Sequence, residues 1–393
     1  MEAKNIDHGQ RAHARLSASG SSRWLNCTPS ASLEDSFPDT SSVFAEEGTL
    51  AHEIAEIKLR LREHHTQTRT LNKLLELRLD EARKHELYLD EMEAYTDQYC
   101  DYVTEAYAVA KASDSAAIIE TEIKVDLTAY IPAGFGTVDN AIVANKVLDV
   151  IDLKYGKGVR VSAVDNSQLK LYALGTLEAY AFMYDIEVIR MHIHQPRLDA
   201  VSVFEIPAHE LIEWGRDYVK PKALEAHEGK GELQTGSWCG FCKAKIRCSA
   251  LAKETEALAV LDFQDPRLLT DAQLLEIYAK ADRLSRWLNS LGEFLYSEAL
   301  AGKKWDGLKL VEGRSNRTIE DATKAVNALR ADGYADADIL SSKLVGIGAL
   351  EKLLGKAGFE AVLGDLVVKP AGKPTLVDSS DKRAEISLIS DFD

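Results

Sequence analysis

The 393-residue chain has no stretch of about 18 consecutive apolar residues, so the sequence predicts no membrane-spanning helix. Its first twenty residues, MEAKNIDHGQRAHARLSASG, lack the apolar core of a secretory signal. There is no surplus of positive charge: 47 Lys and Arg stand against 63 Asp and Glu, a net charge of −16. That balance argues against a polycationic coat for nucleic acid, though it leaves room for an enzyme with local basic patches. Cysteine is scarce and odd in number, five in all, which favours metal ligands or free thiols over a disulfide framework. These absences together place the chain in a reducing cytoplasm, bacterial or phage-infected, with no membrane partner. No internal repeat and no phosphate-binding Walker loop occur, so neither a solenoid nor an ATPase motor is expected. The helix His52-Glu53-Ile54-Ala55-Glu56 lacks the second histidine of a zinc protease and the spacing of a zinc deaminase.

What is present is an ordinary globular balance, 46% apolar and 28% charged, over a length that suits two or three domains. Residues 1–20 read as a polar, mobile arm. A helix is expected from near Gly48, with Leu50, Ile54, Ile57 and Leu61 on one stripe, and a long helical region over roughly 70–112. Strand patterns follow in AAIIETEIKV and FGTVDNAIVANKVLDVIDLKYG, then a helix over 166–184, strands in EVIRMHIHQP and AVSVFEIP, and a helix over 208–226. A strand-rich centre wrapped by helices is an α/β pattern. After SWCGFCKAKIRC a boundary near residue 255 is expected. A capping box at Thr270 to Gln273 then opens a long helix. A hairpin in WDGLKLVEGRSNRTIE and short helices make up a mainly helical domain over 256–393.

The sharpest local signal is the pair of strands flanking Asn145-Lys146. A tight two-residue turn there sets Asp139 opposite Asp152, with Lys154, Ala141, Val143, Leu148 and Val150 on the same face. Two carboxylates with Cβ atoms ~5 Å apart repel each other. A hard divalent cation between them, Mg²⁺ or Mn²⁺, removes that cost. The Lys154 ammonium could orient or deprotonate a water. A solvated charged hairpin face is the plainer alternative.

Asp139 followed by Asp152-Leu153-Lys154 resembles the D…(D/E)-x-K signature of the PD-(D/E)XK nuclease superfamily. NSQLKLYALG resembles the Gln-x-x-x-Tyr motif of its RecB-like branch, here Gln168 and Tyr172, which share one helix face. EEGTLAH sets His52 where that branch carries a metal-binding histidine. The strings FGTVDNAIV, VIDLKYGKG, NSQLKLYALG, LKLVEGRSNR and KPAGKPTLVDSSDKR are similar to those of an uncharacterised family of phage-encoded RecB-like proteins. The likeness covers most of the chain. It departs at Asp152, where many relatives carry Glu. The resemblance implies a restriction-endonuclease-like mixed sheet over 21–255. It implies metal ligation by His52, Asp139 and Asp152 with the Leu153 carbonyl, and catalysis by Lys154 oriented by Gln168 and Tyr172. Glu122, on the preceding strand, is a further acidic candidate.

Cys239-x2-Cys242-x5-Cys248 is a compact ligand cluster, with Cys27 as a distant fourth. Spacing alone leaves a four-cysteine zinc site and a [4Fe–4S] cluster open. The layout of one early and three late cysteines resembles that of AddB-type and cluster-containing CRISPR-adaptation nucleases, which implies iron–sulfur. A clasp closing so long a loop contributes on the order of 5 kcal/mol in the chain-entropy picture. Cys100, among Tyr95, Tyr99 and Tyr102, reads as packing. His192 and His194 share a strand face and read as structural.

Basic residues gather at Lys154, Lys157, Arg160 and Lys170, at Lys243, Lys245, Arg247 and Lys253, and at Lys303, Lys304, Lys309, Arg314 and Arg317. Such patches can supply phosphate contacts. The expectation is a Mg²⁺- or Mn²⁺-dependent deoxyribonuclease acting on single- or double-stranded DNA. It would work from ends as an exonuclease in phage recombination or end processing. The resemblance implies 5′-phosphate products, and a phage single-strand-binding or annealing protein is a candidate partner. The alternative is a catalytically idle, cluster-stapled DNA-binding scaffold.

Overall fold

The computed structural model describes residues 14–38, 42–62, 69–158, 160–261, 271–313, 318–341, 343–368, 374–378 and 384–386. The chain divides into two compact units, Met1–Leu284 and Ser285–Asp393, further along than the boundary near residue 255.

The first unit opens with helices α1 (Ser21–Asn26), α2 (Ser30–Glu34), α3 (Val43–Arg62), α4 (Arg69–Ala82) and α5 (Glu91–Ser113). Strands β1 (Ile118–Asp126), β2 (Phe135–Ala144) and β3 (Lys146–Leu153) form an antiparallel meander. Helix α6 (Ser167–Tyr180) crosses over, and β4 (Ile186–Gln195) pairs parallel to β3. Strand β5 (Ala200–Pro207) closes the edge, giving a five-stranded mixed sheet in the order β1-β2-β3-β4-β5. Helices α7 (Ala208–Trp214) and α8 (Lys220–His227) follow, joined by a π-helical turn at Gly215–Val219. Helix α9 (Ser249–Leu261) follows the cysteine segment, and α10 (Asp271–Leu300) spans the division between the units.

Sequence explains why the sheet is central. VLDVIDL reads as an almost unbroken apolar run because β3 is buried on both faces. On one face Ala141, Val143, Leu148 and Val150 pack with Leu169, Leu171 and Leu174 around α6. On the other, Ile142, Ala144, Ile151 and Leu153 pack with Tyr99, Cys100 and Val103 of α5. Edge strand β5 turns Ala200, Ser202, Phe204 and Ile206 inward, half-buried, and leaves Val201, Val203 and Glu205 exposed.

Two expectations need correction, and a third is met in finer detail. Residues 14–20 are not a mobile arm: Leu16 and Ala18 are buried in the core, and the Trp24 indole donates to the Ser17 carbonyl at 2.9 Å. The first thirteen residues of the expected arm lie outside the described residues. The helical region over 70–112 is two helices, because the chain turns at residues 83–90 so that Leu87 and Tyr88 pack against the α3–α4 cluster. Among the described residues, which leave out 314–317, the strands of WDGLKLVEGRSNRTIE do not pair with each other. In the second unit β6 (Leu308–Glu312), β7 (Thr318–Ile319), α11 (Ala322–Ala331), α12 (Asp336–Ile339), β8 (Leu340–Ser341), β9 (Lys343–Leu344), α13 (Ile347–Leu363), β10 (Val367–Val368) and β11 (Pro374–Asp378) follow in order. Strand β6 pairs with β11 over five residues, whereas β7 pairs with β10 over two. A five-residue strand finds its full ladder in PTLVD, which the two residues of β7 cannot offer. The core of this unit is Ala325, Leu329, Ile339, Leu350, Phe359 and Leu363. No described helix is long and apolar enough to cross a membrane.

Candidate metal centre and cleft

The β2–β3 register runs from Ala144–Val147 to Asn140–Ile151, with Asn145-Lys146 as the two-residue turn and Lys146 in the left-handed region. Asp139 and Asp152 therefore sit one step beyond the Asn140–Ile151 pair. Asp139 Oδ2 accepts the Leu153 N–H at 2.8 Å, which ties the carboxylate to the opposite strand. The same oxygen lies 3.3 Å from His52 Nδ1, delivered by α3.

Glu122 joins them from β1. Thr121 pairs with Asn140 and Ile123 with Val138, which brings Glu122 alongside Asp139. Its φ of 56° interrupts the strand geometry. A left-handed conformation costs an L-residue about 1–2 kcal/mol, so it marks a position held for a reason. Ligand atoms of His52, Glu122 and Asp139 all lie within 4.8 Å of one another. Asp152 falls outside that group.

Asp152 instead anchors a second network. Lys154 Nζ lies 2.7 Å from Asp152 Oδ2 and donates to Gln168 Oε1 at 3.2 Å. The Gln168 amide in turn donates to Asp152 Oδ1 at 3.3 Å and to the Tyr172 hydroxyl at 3.1 Å. Asn166 caps α6 by accepting from the N–H groups of Gln168 and Leu169, so the helix start that carries Gln168 is fixed. Gly136 lets the ring of Tyr172 lie against β2; a Cβ there would meet Tyr172 Cε1 at 2.9 Å. Asp152 is 2% exposed, its carboxylate met by the Lys154 ammonium at 2.7 Å. A buried carboxylate beside a histidine and two more carboxylates fits a hard divalent cation.

The electrostatics separate the two aspartates. Burial penalises the charge of Asp139, but His52, Lys154 and the Leu153 N–H outweigh it and hold the carboxyl below its usual range. Burial and the charge of Asp139 push Asp152 up, against the pull of Lys154. Burial opposes the His52 imidazolium, yet Asp139, with Glu122 and Asp152 behind it, raises its pKa to about 9. Lys154 is likewise raised: burial opposes the ammonium, and Asp152 and Asp139 overcome it. Without a metal the site is a proton-loaded set of ion pairs.

These side chains line a cleft of about 620 Å³. Lys157 and Arg160 are exposed beyond β3, whereas Lys170 is half-buried and pairs with Asp165 at 2.6 Å. Arg314 and Arg317 lie outside the described residues.

Cys27, Cys239, Cys242 and Cys248 line one small pocket, brought together by two short 3₁₀ turns at Ser237–Phe241 and Lys243–Arg247. Glu34 of α2 accepts the Lys243 N–H at 2.8 Å, and Arg23 of α1 donates to the Phe241 carbonyl at 3.3 Å. Among the described residues no three of these sulfurs lie within 4.8 Å of one another. Cys100 is buried away from them against α3, its thiol pushed up to about 12 by burial.

His192 and His194 serve the opposite face of the sheet. His192 bridges the Tyr102 hydroxyl at 2.8 Å and Asp149 at 3.0 Å, and His194 stacks on Tyr99 and Tyr102. Sequence reasoning missed Gly136 as a seat for Tyr172 and gave no weight to the π-helical turn.

The fold and the cleft define a mixed α/β protein that gathers a histidine, three carboxylates and a lysine at one end of a five-stranded sheet. The chain belongs to the family described as "Protein of unknown function (DUF2800)", whose model matches residues 13–384. Among solved structures it is similar to one named "Crystal structure of SSO0001", at 15% identity over 50% of this chain and 95% of that one, with a TM-score of 0.22.

Proposed function

We propose that this protein is a Mg²⁺- or Mn²⁺-dependent DNA nuclease built on a PD-(D/E)XK core. The carrying observation is the convergence of His52, Glu122 and Asp139 within 4.8 Å, beside the network of Asp152, Lys154 and Gln168. A structural ion-pair cluster has no need of a left-handed Glu122 whose ligand atom lies within 4.8 Å of those of His52 and Asp139. His52, Glu122, Asp139 and Asp152 are the residues that would hold the metal. The cation would neutralise charge on the phosphate and on the leaving oxygen.

The chain's own groups do the rest. Asp139 holds His52 and is itself held by the Leu153 N–H. Lys154, held by Asp152 and Gln168, would orient or activate the attacking water and stabilise the developing charge. Gln168 fixes Lys154 and Asp152 together, and Tyr172 fixes Gln168.

The four cysteines would hold a [4Fe–4S] cluster, with Zn²⁺ as the rival. The cysteine set fits either group, and the preference for iron–sulfur rests on the resemblance of one early and three late cysteines. The cellular reading is an exonuclease working from DNA ends in the cytoplasm, in phage recombination or processing, with a single-strand-binding or annealing protein as partner.

End-labelled single-stranded and duplex DNA, with Mg²⁺ or Mn²⁺ and anaerobically purified protein, provides the test. Wild type should release 5′-phosphate products. Asp152→Asn and Lys154→Ala should each lose roughly a thousandfold in rate with the fold intact. Undiminished cleavage by either folded variant would overturn the site assignment.

A further inference from the structure

A second cleft of about 470 Å³ adjoins the first, sharing Ser19 and Gln168 as its rim. Its far wall is aromatic. Trp214 and Tyr218 stack with ring centroids 6.4 Å apart and planes at 26°. The π-helical turn between α7 and α8 makes this wall, and such turns recur at functional sites. Gly215 inside it presses on Tyr130 and Leu174, where a Cβ would meet Tyr130 Cε1 at 2.8 Å, so the wall is backed by packed core. Tyr218 is 41% exposed, an open aromatic face at the cleft. The Lys170 ammonium lies over the Trp214 ring, 5.2 Å from its centroid, and is ion-paired to Asp165, so the open aromatic face is that of Tyr218.

We infer that this cleft seats an unstacked base of single-stranded DNA, one or more nucleotides along the strand from the metal centre. This rests on the nuclease reading and deepens it by naming the substrate class as single strand or frayed end. The charge supports a base over a phosphate: Lys170 is already neutralised by Asp165, so the cleft has no net surplus of positive charge. The pair nevertheless offers one donor and one acceptor at the edge of a stacked base, and Asn26 and Ser167 add more from the near wall. A base inside a duplex is stacked on both faces and cannot reach Trp214 or Tyr218.

Fluorescence anisotropy with a 5′-labelled oligothymidylate of about fifteen nucleotides tests it, using the full chain in Ca²⁺ so that no cleavage intervenes. Trp214→Ala and Tyr218→Ala should each weaken binding roughly five- to a hundredfold. Trp214→Phe, which keeps a ring, should restore most of the loss, and blunt duplex affinity should stay within about twofold of wild type throughout. In oligonucleotides carrying a single abasic residue, one position should bind wild type and Trp214→Ala equally, because the base that the aromatic wall receives is gone. Unchanged single-strand affinity in both alanine variants, or an equal loss on blunt duplex, would overturn the inference while leaving hydrolysis by wild type standing. Failure of wild type either to bind or to cut DNA would bring down the nuclease reading itself and this seat with it.

Discussion

Loading the metal centre should expel a proton, and the pH dependence of metal affinity measures it. In the metal-free protein His52 sits 3.3 Å from Asp139 with its pKa raised to about 9. A histidine binds a cation only as the neutral ring. At pH 7 the ring lies about two units below its pKa, so displacing the proton costs about 3 kcal/mol and weakens apparent affinity about a hundredfold. Affinity should therefore rise about tenfold per pH unit from neutrality until it levels near pH 9. The stability linkage has the same origin. A raised pKa adds stability that is fully present below the unfolded value of about 6.5 and is lost as pH rises through about 9. Isothermal titration calorimetry with Mn²⁺, in two buffers of different ionisation enthalpy, reads the proton directly. Near pH 7 about one proton should appear per cation bound. His52→Gln should flatten the pH slope. A flat affinity from about pH 7 to about pH 8.5, with heats independent of buffer, would refute the placement of His52 in the metal centre.

Three further outcomes are expected. Protein purified without oxygen should contain iron and acid-labile sulfide; Cys27→Ala, Cys239→Ala, Cys242→Ala and Cys248→Ala should lose both together with thermal stability, while Cys100→Ala keeps them. Stoichiometric zinc without iron would change the metal and keep the ligands. Linearised DNA should disappear while the same molecule as a covalently closed circle survives, and equal cutting of circles would sink the end-dependent reading. Gly136→Ala should push Tyr172 off β2, costing about 1–3 kcal/mol in overpacking and slowing hydrolysis through Gln168; melting temperature and turnover would both be measured, and an unshifted melting temperature would contradict the contact.

Much of the candidate site was legible because strand geometry is periodic. Once a two-residue turn is placed at Asn145-Lys146, alternation alone brings Asp139, Asp152 and Lys154 to one face, and the observed register agrees from Asn140–Ile151 to Ala144–Val147. Glu122 was only half legible. Its place on the strand before Asp139 was visible, but its left-handed backbone is a tertiary effect that no propensity encodes. The break between α4 and α5 was hidden for a related reason. No proline or glycine marks residues 83–90, and the turn exists because Leu87 and Tyr88 find partners on α3 and α4. The false hairpin at residues 305–320 came from proximity in sequence, whereas β6 takes the partner of matching length more than sixty residues on. Residues 14–20 look polar by composition, and only their contacts with the sheet core reveal Leu16 and Ala18 as interior.

The first unit is laced shut by residues far apart in the order of synthesis. Arg15 donates to the His227 carbonyl, Thr28 to the Lys230 carbonyl, Ser21 meets Ser167, and Cys27 shares its pocket with Cys248. As the chain leaves the ribosome, the long-range hydrogen-bond partners of its first structured turns are made 146 to 212 residues later. At about 5–20 residues per second that wait is on the order of ten to forty seconds. Trp24 and Leu25, buried at the end, are exposed throughout it. The α1–α2 segment thus completes its packing late in synthesis, whereas the sheet is built from strands that pair with their sequence neighbours.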